Sequence, residues 1–223
     1  MNDLFDKTYV FLLKDKESKK IIGFSTIKEF RLPDIKGRFL FSGDTIVEKE
    51  YWGKNSLGVE FARFLFNEKI KKPHIPLYWN LISKGYKTYL LLANNFENYY
   101  PNPYKETPVK YKEMIDGCGR YLFGRKYNSQ KGVIEFAEEV GKDKLKEGIC
   151  EIDMRLLCAS RKINFFQESN PDWRSGNELV CIGEFTLDLS LKKLLKDLSK
   201  LSRRASRKLK KERQQMIKRI MNV

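Results

Sequence analysis

The sequence predicts an α/β (α+β) protein built on a mixed, mostly antiparallel sheet with flanking helices and a long basic C-terminal helix. Three observations predict it: β-rich runs separated by polar turns, a change from strand to helix spacing after residue 57, and leucines at helical spacing from residue 189. Apolar residues make up 41% of the 223 residues and aromatic residues 13%, which indicates a folded chain with a sizeable core.

The N-terminal region is expected to contribute three strands. Residues 8–13 and 21–30 are rich in β-branched and aromatic side chains, and the polar segment KDKESKK between them favours a hairpin turn. A third strand is expected at 38–47, after Pro33 and Gly37 interrupt the pattern.

The spacing of apolar residues changes beyond this strand. It predicts a helix over residues 57–70, which Pro73 and Pro76 bring to an end. A short apolar segment follows at 77–83, and the run TYLLLA at 88–93 predicts a fully buried strand.

The second half has weaker patterns. It is expected to hold a helix at 109–123, short strands at 132–136 and 164–168, and a longer strand at 178–185. Three prolines between residues 101 and 108 mark the boundary before it. The chain is therefore divided into a core at 1–102, an additional α+β region at 103–187 and a basic amphipathic helix at 188–223.

Positive charge is concentrated in the C-terminal segment. Residues 188–223 hold 13 Lys and Arg against three acids, a net +10, out of +15 for the whole chain. Such a helix can pack its leucines on the protein's own body, bind the phosphates of nucleic acid, or lie on an anionic lipid surface. All three interpretations remain open, and the last two make an anionic partner an expectation.

The sequence also predicts a cytoplasmic protein, with attachment to the periphery of a membrane as a further possibility. No secretion signal is recognised at the N-terminus, and no apolar run reaches the roughly 18 residues of a membrane span. The four cysteines lie far apart and the chain has one histidine, so free buried thiols are expected and no metal site.

One loop has the composition of an anion-binding site. Gly53, Lys54 and Gly58 lie between the predicted strand at 38–47 and the helix that follows. The first N–H groups of a helix have no partner within the helix, and glycines allow an anion to approach them closely. The segment matches neither a Walker loop nor a dinucleotide-binding motif.

These segments, taken together, resemble the central motif of the GNAT acyltransferase superfamily over residues 8–100. The segments concerned are IGFS at 22–25, IVE at 46–48, YWGK at 51–54 and Leu57-Gly58, and the stretch 78–100 is also similar to a group of bacterial GNAT-like proteins. The resemblance implies that 89–93 is the family's fifth strand and that acyl-CoA or acetyl-CoA is the substrate. It further implies that the pyrophosphate of coenzyme A is held by Val47, Trp52, Gly53, Lys54, Asn55, Ser56, Leu57 and Gly58.

The same resemblance implies direct attack of an amine on the acyl thioester. Asp44 and Glu48, four residues apart in one predicted strand and on the same side of it, are the candidates for the base that deprotonates the amine. Tyr99 or Tyr100 would return a proton to the leaving thiolate. Solvated carboxylates and packed tyrosines are the structural alternatives.

The family's first strand and two helices have no counterpart before Thr8. The resemblance therefore implies a shortened member whose N-terminal side is completed by a second copy or another partner. Trp52 also stands where the family has Arg or Gln. The alternative to an N-acyltransferase is a non-catalytic protein of this fold that engages nucleic acid, an anionic membrane or a protein partner through its basic helix.

Overall fold

A computed structural model of the chain describes residues 4–51, 56–136 and 150–188. Met1–Phe185 form one compact unit, and Thr186–Val223 belong to a second unit. The predicted basic helix falls almost entirely outside the described residues. Among the described residues, no helix is long and apolar enough to cross a membrane.

The first unit is organised around an eight-stranded sheet. Its strands follow the order β1-β2-β3-β4-β8-β7-β6, with β5 also paired to β8. Neighbouring strands are antiparallel except for the parallel pair β3–β4. The strands are β1 Tyr9–Lys14, β2 Ile21–Leu32, β3 Ile35–Val47, β4 Leu77–Ser83, β5 Tyr99–Tyr100, β6 Tyr127–Asn128, β7 Val133–Ile134 and β8 Glu178–Phe185.

Helices cover both faces of this sheet, which confirms the predicted mixed, mostly antiparallel sheet with flanking helices. They are α1 Ser56–Lys71, α2 Tyr86–Ala93, α3 Val109–Phe123, α4 Met154–Ala159 and α5 Arg161–Ser169. On one face, Met114 and Cys118 of α3 belong to a buried cluster with Phe39 and Ile182 of the sheet. The sheet takes its strands from both sides of residue 102.

Two predicted strands are helices in the structure. Residues 88–93 lie in α2, where Tyr89 and Leu92 are buried but Leu91 is 54% exposed, as a one-sided helix requires. Residues 164–168 lie in α5, which begins after Ser160, whose hydroxyl accepts a hydrogen bond from the Ile163 N–H. The assignment of 89–93 to a fifth strand is therefore wrong, because these residues lie in a helix.

The cysteines are free thiols, as expected, but their burial differs. Cys118, Cys150 and Cys181 are buried, whereas Cys158 is exposed. Burial raises the pKa of Cys118 and of Cys181, which keeps both thiols protonated and unreactive. They act as small apolar side chains in the core.

A buried ion cluster attaches α1 to the sheet. The Arg38 side chain in β3 is 3% exposed, and its Nε and NH2 donate to the two carboxylate oxygens of Glu29 in β2 at 2.6 and 3.0 Å. Its NH1 donates to the backbone oxygen of Glu68 in α1 at 2.9 Å, and its NH2 pairs with the Glu68 carboxylate, which is also 3% exposed. One guanidinium therefore joins three elements.

We expect Arg38→Ala to lower the free energy of unfolding by about 3–5 kcal/mol, because two carboxylates would lose their shared cation and one of them is buried. Arg63→Ala is the matched control: Arg63 pairs with Glu60 across 3.3 Å on the exposed surface of α1, so we expect a loss of at most a few tenths of a kcal/mol. Urea unfolding measures both. Equal losses in the two variants would contradict the role given to the cluster.

The cluster also predicts how stability depends on pH. The hydrogen bonds from Arg38 lower the pKa of Glu29; burial acts to raise the pKa of Glu68, but hydrogen bonds from Lys71 and Arg38 outweigh it and lower that pKa as well. The unfolded chain therefore binds more protons than the folded one below the ordinary glutamate pKa of about 4.3. The stabilisation is fully present above that pH and is lost as the pH falls through the folded pKa values.

The prediction is tested by urea unfolding at a series of pH values. Below about pH 4.5, the free energy of unfolding of Arg38→Met/Glu29→Gln/Glu68→Gln should decrease less steeply with falling pH than that of the parent.

Candidate functional site

The parallel strands β3 and β4 separate at a defined point. Arg38–Phe41 of β3 pair with Leu77–Asn80 of β4, and Phe41–Asn80 is the last pair. Beyond it, β3 continues to Val47 and pairs only with β2 among the described strands, while β4 continues to Ser83 and pairs with β8. We call the opening between residues 42–47 of β3 and 81–83 of β4 the β3–β4 wedge.

A bulge distorts β3 where the wedge begins. Ile27 of β2 is opposite Ser42, but Ser25 is opposite Thr45, so β3 has one residue more than β2 over this stretch. Thr26 of β2 therefore lies opposite two residues of β3, Gly43 and Asp44. A Cβ on Gly43 would lie 2.9 Å from Oγ1 of the buried Thr26, so the close approach requires glycine.

Aromatic side chains cover both faces of the sheet at this point. On the α1 face, Trp79 Nε1 donates to Ser42 Oγ at 2.9 Å, and Phe61 of α1 packs on Trp79 with ring centroids 4.6 Å apart. On the α3 face, Phe123 packs edge-on against Phe41 at 5.7 Å. The base of the wedge is therefore lined largely by aromatic side chains.

Two buried oxygen atoms near this base have no hydrogen-bond partner among the described residues. They are Oγ1 of Thr26, which is 1% exposed, and Oδ1 of Asn80, which is fully buried. The Asn80 amide nitrogen is used, since it donates to the Cys181 backbone oxygen at 3.0 Å. Buried acceptors of this kind are normally paired, so they favour a donor at this place, from water or from a ligand.

The predicted anion-binding segment is described only in part. Val47 ends β3, α1 begins at Ser56, and Leu57 and Gly58 lie in its first turn, with Gly58 exposed. Trp52, Gly53, Lys54 and Asn55 lie outside the described residues. Because α1 follows β3 in the chain and its C-terminal end is held at Arg38, its first N–H groups, which have no partner within the helix, point toward the end of the sheet at which the wedge opens.

The two predicted carboxylates differ in position. Asp44 is exposed within the bulge of β3. Glu48 is not in the strand as predicted: β3 ends at Val47, and Glu48 pairs with Lys20 at 3.1 Å on the surface. Of the two, Asp44 is the one that belongs to the wedge.

Tyr99 and Tyr100 are buried and lie elsewhere in the sheet. Tyr100 is in register with Ile182, Asn80 and Phe41 across successive strands, which places its backbone three strand spacings, about 14 Å, from β3. Tyr99 packs against Tyr89, and burial raises its pKa to about 12. The structure does not bring either tyrosine to the wedge.

Sequence reasoning missed the residues at the base of the wedge. Asn80 and Trp79 sit in the segment at 77–83, which was recognised only as apolar. The one available signal was a polar amide inside an apolar run, because such a side chain in a buried strand needs a partner.

Comparisons with known proteins add no identification. No model of a known protein family matches the chain, and no curated protein matches it in sequence.

Proposed function

We propose that this chain is an N-acyltransferase that binds acyl-CoA in the β3–β4 wedge and transfers the acyl group to an amine. The observation that carries the proposal is the parallel unit β3–α1–β4, whose strands separate after Phe41–Asn80 beside the start of α1. In α/β sheets, ligands bind in crevices outside the carboxyl ends of parallel strands. The resemblance to GNAT acyltransferases implies the same ligand.

The shape and polarity of the wedge support a ligand of this chemistry. Residues 42–46 belong to β3, and among the described strands they pair only with β2, so the other side of this stretch can offer backbone hydrogen bonds to a ligand. The pantetheine arm of coenzyme A is a slim chain with two amides, which can pair with such an edge as another strand would. Its pyrophosphate would then lie toward the N-terminus of α1, where unpaired N–H groups and the helix dipole favour an anion.

The transfer itself requires few groups. A neutral amine nitrogen attacks the thioester carbonyl carbon, the C–N bond forms, the C–S bond breaks, and the nitrogen loses a proton while the thiolate gains one. We assign proton removal to Asp44, the carboxylate within the wedge, acting through water. Glu48 is held by Lys20, so it is the weaker candidate.

A second candidate function is binding without catalysis. It is favoured by the position of Tyr99 and Tyr100, which removes both predicted proton donors from the wedge. The net charge of +10 at 188–223 would then provide the contact with nucleic acid, an anionic membrane or a protein partner.

Acetyl-CoA at a hundred times its dissociation constant should stabilise the chain by about 2.7 kcal/mol, a rise in melting temperature of roughly 5–10 °C. Gly58→Val should abolish the shift, because a branched side chain would block the first-turn amides. Gly58→Ala is the matched control and should retain most of it, since its methyl group is small and the position is exposed. Thermal unfolding with and without ligand measures this. A full shift for Gly58→Val would remove coenzyme A from this helix end.

Catalysis is tested separately from binding. We expect Asp44→Asn to keep the acetyl-CoA shift but to lower acetyl transfer to a panel of amines by about 10²-fold or more, since a positioned base contributes 10²–10⁴. Release of free thiol from acetyl-CoA is the measurement. Binding with no transfer by the parent protein would favour the second candidate.

The second candidate predicts a role for the basic segment. Deleting residues 192–223 should flatten the salt dependence of duplex DNA binding, where each neutralised phosphate contributes about −0.9 to the slope of log affinity against log salt. If the partner is lipid instead, the deletion should release the protein from vesicles containing phosphatidylserine. Unchanged behaviour in both assays would show that the segment does not provide the anion contact.

A further inference from the structure

A cavity of about 330 Å³ lies in the second half of the chain. Small-molecule sites in proteins have volumes of about 300–1,000 Å³, so this cavity is large enough for a small ligand. Side chains from the β6–β7 turn, β7, the end of α5 and the loop before β8 line it: Lys131, Val133, Glu168, Asn170, Asp172 and Asn177. None of these residues belongs to the β3–β4 wedge.

One buried side chain in the wall of this cavity has an acceptor without a donor. Asn170 is 1% exposed, and its Nδ2 donates to the backbone oxygen of Asn177 at 2.8 Å. Its Oδ1 has no hydrogen-bond partner among the described residues. Because buried acceptors are normally paired and Asn170 lines the cavity, a ligand held there can supply the missing donor.

The carboxylates of the cavity have unused acceptor positions as well. Asp172 is exposed and has no hydrogen-bond or ion-pair partner in the part of the chain that the structure describes. Glu168 is exposed and accepts a hydrogen bond from Asn164 Nδ2 at 2.6 Å through one oxygen, which leaves the other. Since α5 ends at Ser169, the partial negative charge of its last carbonyl groups adds to that of the carboxylates. The cavity therefore favours a ligand that donates hydrogen bonds and carries positive charge.

The protein's own cations at this place are held by other carboxylates. Lys131, in the wall of the cavity, pairs with Glu135 at 3.1 Å. Arg174, which follows the cavity residues in the chain, pairs with Glu151 at 3.7 Å. Although the chain has a net charge of +15, neither cation neutralises the two carboxylates of the cavity.

We propose that this cavity binds a primary alkylammonium ion, the protonated end of an aliphatic amine. An ammonium group has three N–H donors, and Glu168, Asp172 and Asn170 Oδ1 supply three acceptors for them. The alkyl chain would pack on the apolar wall at Val133 and Pro171. Two carboxylates and one amide oxygen are too few for Ca²⁺, which takes about six to eight oxygen ligands.

The test compares two variants that remove the same charge from different places. Glu168→Gln/Asp172→Asn neutralises the cavity and keeps the size of both side chains. Glu106→Gln/Glu113→Gln is the matched control, because it neutralises two exposed carboxylates outside the cavity. All four residues are exposed, so both variants should fold.

The probe is butylammonium chloride, and butanol is the neutral compound of the same size. Proton–nitrogen correlation spectra recorded during a titration report binding through the backbone amides of Val133, Ser169 and Asn177. We expect butylammonium to shift these signals in the parent and in the control variant with a dissociation constant in the millimolar range. The cavity variant should bind at least about tenfold more weakly, because neutral amides form no charge-assisted hydrogen bonds with the probe.

Three results would overturn the proposal. One is the absence of shifts in the parent up to about 0.1 M probe, which is a hundred times a millimolar dissociation constant. The second is equal affinity in the two variants, which would show that the carboxylates of the cavity are not used. The third is an equal response to butanol, or tighter binding of Ca²⁺ at the same signals, since the ligand would then not be an ammonium ion. None of these measurements involves acyl-CoA, so the result is independent of the proposed acyl transfer.

Discussion

The buried guanidinium of Arg38 is the interaction on which the position of α1 depends. An isolated cation at 3% exposure is strongly unfavourable, so the chain must bring both Glu29 and Glu68 to it. Glu68 is 30 residues away, near the end of α1. This requirement fixes the rotation of α1 about its axis and its distance from β3, and it thereby brings Phe61, on the same helix, onto Trp79.

The same constraint links the fold to the candidate site. Since α1 is fixed near its C-terminal end by Arg38, it runs back along β3, and its N-terminus points toward the end of the sheet where the strands separate. The Gly43 bulge and the Trp79–Ser42 hydrogen bond then act at the point of separation. An ion cluster that takes no part in the proposed chemistry therefore helps to decide where the first N–H groups of α1 lie.

The sequence predicts correctly those helices and strands that are long enough to show a regular spacing of apolar residues. The β1–β2 hairpin, α1, α3 and β8 follow from periodicity and from glycine and proline positions, because each is long enough for its period to show. The prediction of a strand at 88–93 is wrong because so short an apolar run fits a buried strand and a short helix equally well. Only the burial of Tyr89 and Leu92 beside the exposed Leu91 distinguishes the helix from the strand. Predicting the wedge requires the register between β3 and β4. Residues so far apart in the chain as Phe41 and Asn80 pair through the fold, and no local sequence pattern indicates that pairing.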